Sequence, residues 1–163
     1  SFGQGISVTP IQIVMAYATI ANDGILMRPK VVEKIINYDG KISEPSTTEV
    51  ARVLSEKTVK DLTQMMIGVV EEGYGKKAGV PGFWVAGKTG TAQIANTDGP
   101  GYQEGVFIHS FAGFAPADDP KFALLVRLDK PKNARFAESS AAPVFGDIAS
   151  YLLNYYYRLS PNR

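Results

Sequence analysis

The 163-residue sequence contains no cysteine and a single histidine, His109. Disulfide frameworks and Cys/His zinc sites are therefore excluded, as is a metal site built of imidazoles alone. A purely carboxylate site has no loop signature to support it. No sign of charge dominates either: 17 Lys and Arg against 16 Asp and Glu leave a net +1. Basic residues are spread along the chain, which removes the electrostatic argument for nucleic acid or an anionic membrane as a partner. The apolar runs fall well short of the ~20 residues a membrane helix needs, and Ser1-Phe2-Gly3-Gln4-Gly5 lacks the basic start of a leader peptide. Internal repeats and low-complexity tracts are missing too. What remains is 45% hydrophobic and 20% charged, the composition of one globular domain able to bury a core.

Punctuation and periodicity divide the chain into alternating helices and strands. Thr9-Pro10 reads as the N-cap and first turn of a helix with Ile11, Val14, Met15, Ala18 and Ala21 at helical spacing, stopped by Asn22-Asp23-Gly24. Residues 31–37 read as a strand, Tyr38-Asp39-Gly40-Lys41 as a turn, and residues 43–49, around Pro45, as a surface loop. Ser55 caps a second helix whose stripe is Val59, Leu62, Met65, Met66, Val69 and Val70, closed by Gly73. Three strands follow at residues 83–94, 106–114 and 122–128, and the tight connection at 115–120 predicts antiparallel pairing. From Pro143 an amphipathic helix is expected to lay Val144, Ile148, Leu152 and one of Tyr155 and Tyr156 on the sheet. The result is an α+β fold, an antiparallel sheet flanked by helices.

The stretch VAGKTGTAQI, from Val85 to Ile94, carries the chemistry. Two sites use a Gly-Lys-Thr run: a cradle for nucleotide phosphates, and a strand that holds a carboxylate beside an acylated serine. Gly82 to Thr89 satisfies G-x-x-x-x-G-K-[ST] formally, and the run ending at Asp129 imitates a magnesium-binding strand. A phosphate cradle, however, needs small residues that curl and a lysine that opens a helix. Phe83, Trp84 and Val85 favour a strand, and Gly90 followed by Asn96-Thr97-Asp98-Gly99-Pro100 leaves no room for a helix. In an extended chain Thr89 and Thr91 share one face and Lys88 lies on the other, so a twist or irregularity at Gly87 or Gly90 is expected to bring the ammonium round. A cation, two hydroxyls and free backbone N–H groups make a carboxylate and oxyanion site, with Gly90 admitting a ligand's backbone. His109 and Ser110 are adjacent on a strand and point apart, which gives His109 a structural role.

Four blocks extend the pattern: SFGQGISVTPIQIVMAYATIANDG, VAGKTGTAQI, HSFAGFAPADDPKFALLV and SAAPVFGDIASYLL. In this order they resemble the C-terminal half of the transpeptidase domain of class B penicillin-binding proteins, and they span nearly the whole chain. The resemblance implies a penicillin-binding protein/β-lactamase-like fold, present in part, with residues 1–163 as its C-terminal portion. Two of the family's five sheet strands would lie outside this sequence, leaving both edges and one apolar face of the remnant open. It also implies a peptidoglycan D,D-transpeptidase at the extracytoplasmic face of a bacterial membrane, anchored by an N-terminal segment. Lys88 would supply positive potential and aid the proton network, Thr89 and Thr91 would bind the terminal carboxylate of a stem peptide, and the Thr91 N–H would be an oxyanion donor. Implied ligands are stem peptides and β-lactams. Implied partners are the N-terminal half of the same enzyme, a membrane glycosyltransferase and division or elongation proteins. No metal or organic cofactor is implied. The departures are specific. No serine here has a lysine three positions later, so the nucleophile is expected elsewhere and this chain alone is expected to be inactive. Ser160-Pro161-Asn162 stands after the Lys-Thr-Gly strand rather than before it, and Gly73-Tyr74-Gly75 replaces the family's Gly-Thr-Gly. A D,D-carboxypeptidase or serine β-lactamase, a nucleotide binder, and a non-enzymatic docking piece are the alternatives.

Overall fold

The computed structural model describes residues 5–158; Ser1 to Gln4 and the Ser160-Pro161-Asn162 triplet lie outside them. Thr9 opens helix α1 (Pro10–Ala21) with a reciprocal cap: its hydroxyl accepts from the Gln12 N–H, and its own N–H donates to Gln12 Oε1 at 2.8 Å. The cap satisfies amide donors that a helix end otherwise leaves open, and Pro10 has none to satisfy. Ser55 caps α2 (Glu56–Glu71) more simply, accepting from the Thr58 N–H at 3.2 Å. Between the helices run β1 (Ile25–Met27), β2 (Ile35–Ile36), β3 (Ile42–Ser43) and β4 (Glu49–Arg52), paired antiparallel as β1 with β4 and β2 with β3.

Two expectations are corrected in this region. The strand expected over residues 31–37 shrinks to Ile35–Ile36, because Val31 and Val32 stand exposed beside no other strand and propensity without a ladder stabilises little. The polar loop expected over 43–49 is strand at each end, with Glu49 opening β4. All four β4 residues are exposed, so no alternation marked them.

β5 (Ala86–Ala95), β6 (Tyr102–Ala115) and β7 (Phe122–Asp129) form one antiparallel sheet in that order. The register sets Lys88 opposite Ala112, Thr91 opposite His109, and Ser110 opposite Arg127. Strand alternation divides the sheet into two faces. One carries Ala86, Phe114 and Ala123 and packs on α1 and α2 through Tyr17, Ile20 and Met66. The other carries Val85, Phe111 and Val126 and packs on α3 (Ala141–Arg158) through Phe145, Ala149 and Leu153. The rings of Phe111 and Phe145 meet at 4.6 Å, tilted, and both are fully buried; truncating either costs about 3–5 kcal/mol. Both faces thus carry helices, which corrects the open face that the resemblance implied. The outer edges of β5 and β7 have no strand partner among the described residues.

α3 meets the sheet one residue away from the expected stripe. Phe145, Ala149 and Leu153, with Ala142 and Gly146, are buried, whereas Val144 and Ile148 are 38% and 37% exposed. Small residues on the same stripe let α3 also approach the short 3-10 helix Lys76–Ala78: a Cβ on Gly146 would stand 2.7 Å from the Lys77 carbonyl oxygen. Hydrophobicity favoured Ile148 over Gly146 and Ala149, so spacing alone selected the wrong stripe. At the far end of α3, Tyr156 stacks near Phe122 and Tyr157 tilts against Phe83. On α2, Val59, Met66 and Val70 are buried, but Met65 points to solvent.

Candidate active site

Lys88 lies within β5, and the chain continues as strand to Ala95 rather than turning into a helix. That removes the helix N-terminus a phosphate cradle requires. Asp129, the would-be magnesium ligand, instead accepts from Arg127 Nε at 2.8 Å. Among the described residues no three carboxylate or imidazole groups converge as metal ligands.

The Lys88 ammonium does reach the threonine face: Nζ donates to Thr89 O at 3.1 Å and to Thr89 Oγ1 at 3.3 Å. It does so without the irregularity expected at Gly87 or Gly90. Pairing with β6 is regular from Ala86 to Gln93, and the register shifts only after Gln93. The reach comes from position instead. β5 is the outer strand, so a four-carbon side chain can bend round the free edge that a central strand would block. Thr89 O is engaged by this ammonium and so faces outward. Because ladder direction repeats every second residue, the N–H and C=O of Thr91 face outward as well. Cation, hydroxyls and outward-facing amide donors therefore gather along one edge, a donor set suited to a carboxylate and a developing oxyanion.

Gly90 has a structural reason for being glycine beyond the approach of a ligand. A Cβ there would stand 2.6 Å from Ser110 Oγ, and that hydroxyl donates to Gly90 O at 3.5 Å. Gly87 is similarly constrained, by the Phe111 ring at 2.5 Å. On the same face as Gly90 a groove of about 640 Å³ opens, bordered by Ala92, Ser110, Pro10 and Ile13. Ser110 was not marked as a site residue in the sequence; only the register brings it under Gly90.

Thr91 sits on the opposite face, where its Oγ1 accepts from the Ala137 N–H at 3.3 Å. Opposite it in the ladder is His109, fully buried, with Nδ1 2.8 Å from Ser140 Oγ. The expected structural role of His109 fits this burial, and its separation from Ser110 fits strand alternation. Burial pushes the imidazole below its ordinary pKa of 6.5. An unfolded imidazole then binds its proton at a higher pH than the folded one. The stability contribution is complete above about pH 6.5 and is lost as pH falls through the lower folded value. The thermal midpoint is expected to fall as pH drops below about 6.5. His109→Leu is expected to flatten that part of the slope, and a variant with the parental slope would refute the assignment.

With this geometry in place, the fold and site define a partial α+β sheet with a Lys-Thr-Gly edge. Residues 1–150 match the model of the penicillin binding protein transpeptidase domain. The chain belongs to that family. It is 41% identical over 160 residues to penicillin-binding protein PbpB of Mycolicibacterium smegmatis, covering 93% of this chain and 25% of that protein. It is 37% identical over 155 residues to peptidoglycan D,D-transpeptidase FtsI of Escherichia coli K12, covering 94% of this chain and 24% of that one. Among solved structures, penicillin binding protein 3 of Mycobacterium tuberculosis complexed with ampicillin superposes with a TM-score of 0.86 at 37% identity, covering 94% of this chain and 36% of that one. The chain thus spans about a quarter of the length of the curated relatives it matches.

Proposed function

We propose that this chain supplies the Lys-Thr-Gly wall of a peptidoglycan D,D-transpeptidase. The observation that carries the reading is the outer edge of β5, where the Lys88 ammonium lies 3.1 Å from Thr89 O beside the outward N–H of Thr91. A serine outside these 163 residues attacks the penultimate D-Ala carbonyl of a stem peptide, and the terminal D-Ala leaves with the proton its amine requires. The amine of a second stem peptide then displaces the serine, forming the cross-link and returning the proton. In the first step Thr89 and Thr91 grip the terminal carboxylate of the donor peptide, which departs with the D-Ala, or that of its β-lactam mimic; through both steps the Thr91 N–H is one oxyanion donor. Lys88 holds the local potential positive and helps move the serine proton. This chemistry belongs outside the cytoplasmic membrane, where peptidoglycan is, on a protein tethered there and working with a membrane glycosyltransferase and division or elongation proteins. Among the described residues no helix is long and apolar enough to supply that tether.

Ampicillin tests the reading directly, by intact mass and peptide mapping. The full-length protein containing this sequence is expected to gain the mass of one ampicillin, on a serine outside it. The 163-residue chain alone is expected to gain none, since binding groups without a nucleophile only hold a ligand. An adduct on any serine of this sequence, or none on the folded full-length protein, would overturn it.

A further inference from the structure

We propose that His109 is a positioning residue for Thr91, acting through Ser140 and the peptide between Phe136 and Ala137 to keep the Thr91 hydroxyl proton free for an anionic ligand. The inference rests on the reading of Thr91 as a carboxylate donor. It starts from the one proton of the Ser140 hydroxyl, which donates to Phe136 O at 3.2 Å. Toward His109, 2.8 Å away, Ser140 can therefore only accept, which places the imidazole proton on Nδ1. Phe136 O and the Ala137 N–H belong to one peptide group. Its carbonyl is held by Ser140 and, at 3.0 Å, by Ser139 Oγ, while its N–H donates to Thr91 Oγ1 at 3.3 Å.

That last bond decides what Thr91 can offer. A hydroxyl that already accepts an N–H cannot turn its own proton back along the same line, so the proton points elsewhere and remains available. Without the Ala137 donor, Thr91 could equally turn a lone pair toward an incoming carboxylate and repel it. The relay closes on itself across the ladder, since His109 is the direct partner of Thr91 in the β5–β6 register. Packing alone does not account for the ring. His109 is fully buried and its Nε2 has no hydrogen-bond partner among the described residues. An apolar side chain of that size would fill the space without the cost of burying an unpaired nitrogen. What the imidazole adds is the Nδ1–H that fixes Ser140.

The test compares acylation of the full-length protein by ampicillin, which carries a carboxylate, and by ampicillin methyl ester, which does not. The parent is expected to prefer the acid. Ser140→Ala, a substitution at a partly exposed position, is expected to reduce the acid-to-ester rate ratio about tenfold. Ser140→Thr, which keeps the hydroxyl, is expected to restore it, and His109→Leu to behave like Ser140→Ala. On a Thr91→Val background, Ser140→Ala is expected to change the ratio no further. A parental ratio in Ser140→Ala, equal slowing of acid and ester, or a full effect persisting without the Thr91 hydroxyl would each overturn the relay while leaving Thr91 as a carboxylate donor. A parent that shows no preference for the acid would overturn the carboxylate reading itself, and the relay with it. Should His109→Leu fail to fold, the Ser140 pair decides.

Discussion

Lys88→Ala in the full-length protein is expected to slow acylation by ampicillin on the order of a hundredfold while leaving the fold intact. The side chain is exposed, and among the described residues its hydrogen bonds go only to Thr89. No packed volume is lost and no buried partner is stranded, so the stability change should stay within about 0.5 kcal/mol. In the proposed reading the kinetic cost arises because the ammonium at the β5 edge would raise the potential where a carboxylate docks and an alkoxide forms. Lys88→Arg keeps the charge but is expected to recover only part of the rate, because a planar guanidinium cannot reproduce a compact ammonium bent round a strand edge. Stopped-flow acylation beside thermal melting checks both. Parental acylation in a folded Lys88→Ala protein would place the cleft elsewhere.

A large structural effect is expected from Gly113→Ala, although it adds only a single methyl group. A Cβ at Gly113 would stand 2.5 Å from the Ala86 carbonyl oxygen, 3.0 Å from the Gly87 Cα and 3.2 Å from the Phe145 ring. Two of these atoms are backbone of β5, which cannot rotate away as a side chain would. β5 must therefore shift away from β6 just before Lys88, and overpacking of this kind costs about 3 kcal/mol. Gly68→Ala in α2 is the matched control. Nothing lies within 4 Å of its added methyl, and a helical alanine is better than glycine by about 0.8–1.0 kcal/mol. Unfolding midpoints should move in opposite directions, and acylation should fall only in Gly113→Ala. A Gly113→Ala protein that melts with the parent would contradict the tight β5–β6 contact.

Some of this was legible one element at a time. Thr9-Pro10 and Ser55 mark helix starts because capping is settled within four residues of chain. The three long strands follow from their own alternation and turns, with ends misplaced by up to four residues. VAGKTGTAQI gave up the nucleotide reading for the same local reason: its residues favour a strand, and Gly90 will not begin a helix. The family resemblance, carried by four blocks in order, is likewise a property of the sequence.

The remaining features depend on pairs of elements, and a pattern along one element does not contain them. The face α3 buries was decided by how closely a helix can approach, which favours Ala142, Gly146 and Ala149 over the more hydrophobic Val144 and Ile148. The strands β1 and β4 exist because each supplies the other's hydrogen bonds, with no apolar alternation to announce either. Lys88 reaches Thr89 because β5 lies at the edge of its sheet, a fact about neighbours rather than about Lys88. His109, Ser140 and Ala137 converge on Thr91 from as far as 49 positions away once the β5–β6 register is fixed. Sequence determined which chemical groups the chain carries and which segments can be helix or strand, since those are short-range energies. Tertiary structure decided which groups meet, because register and approach distance are set only when two surfaces pack.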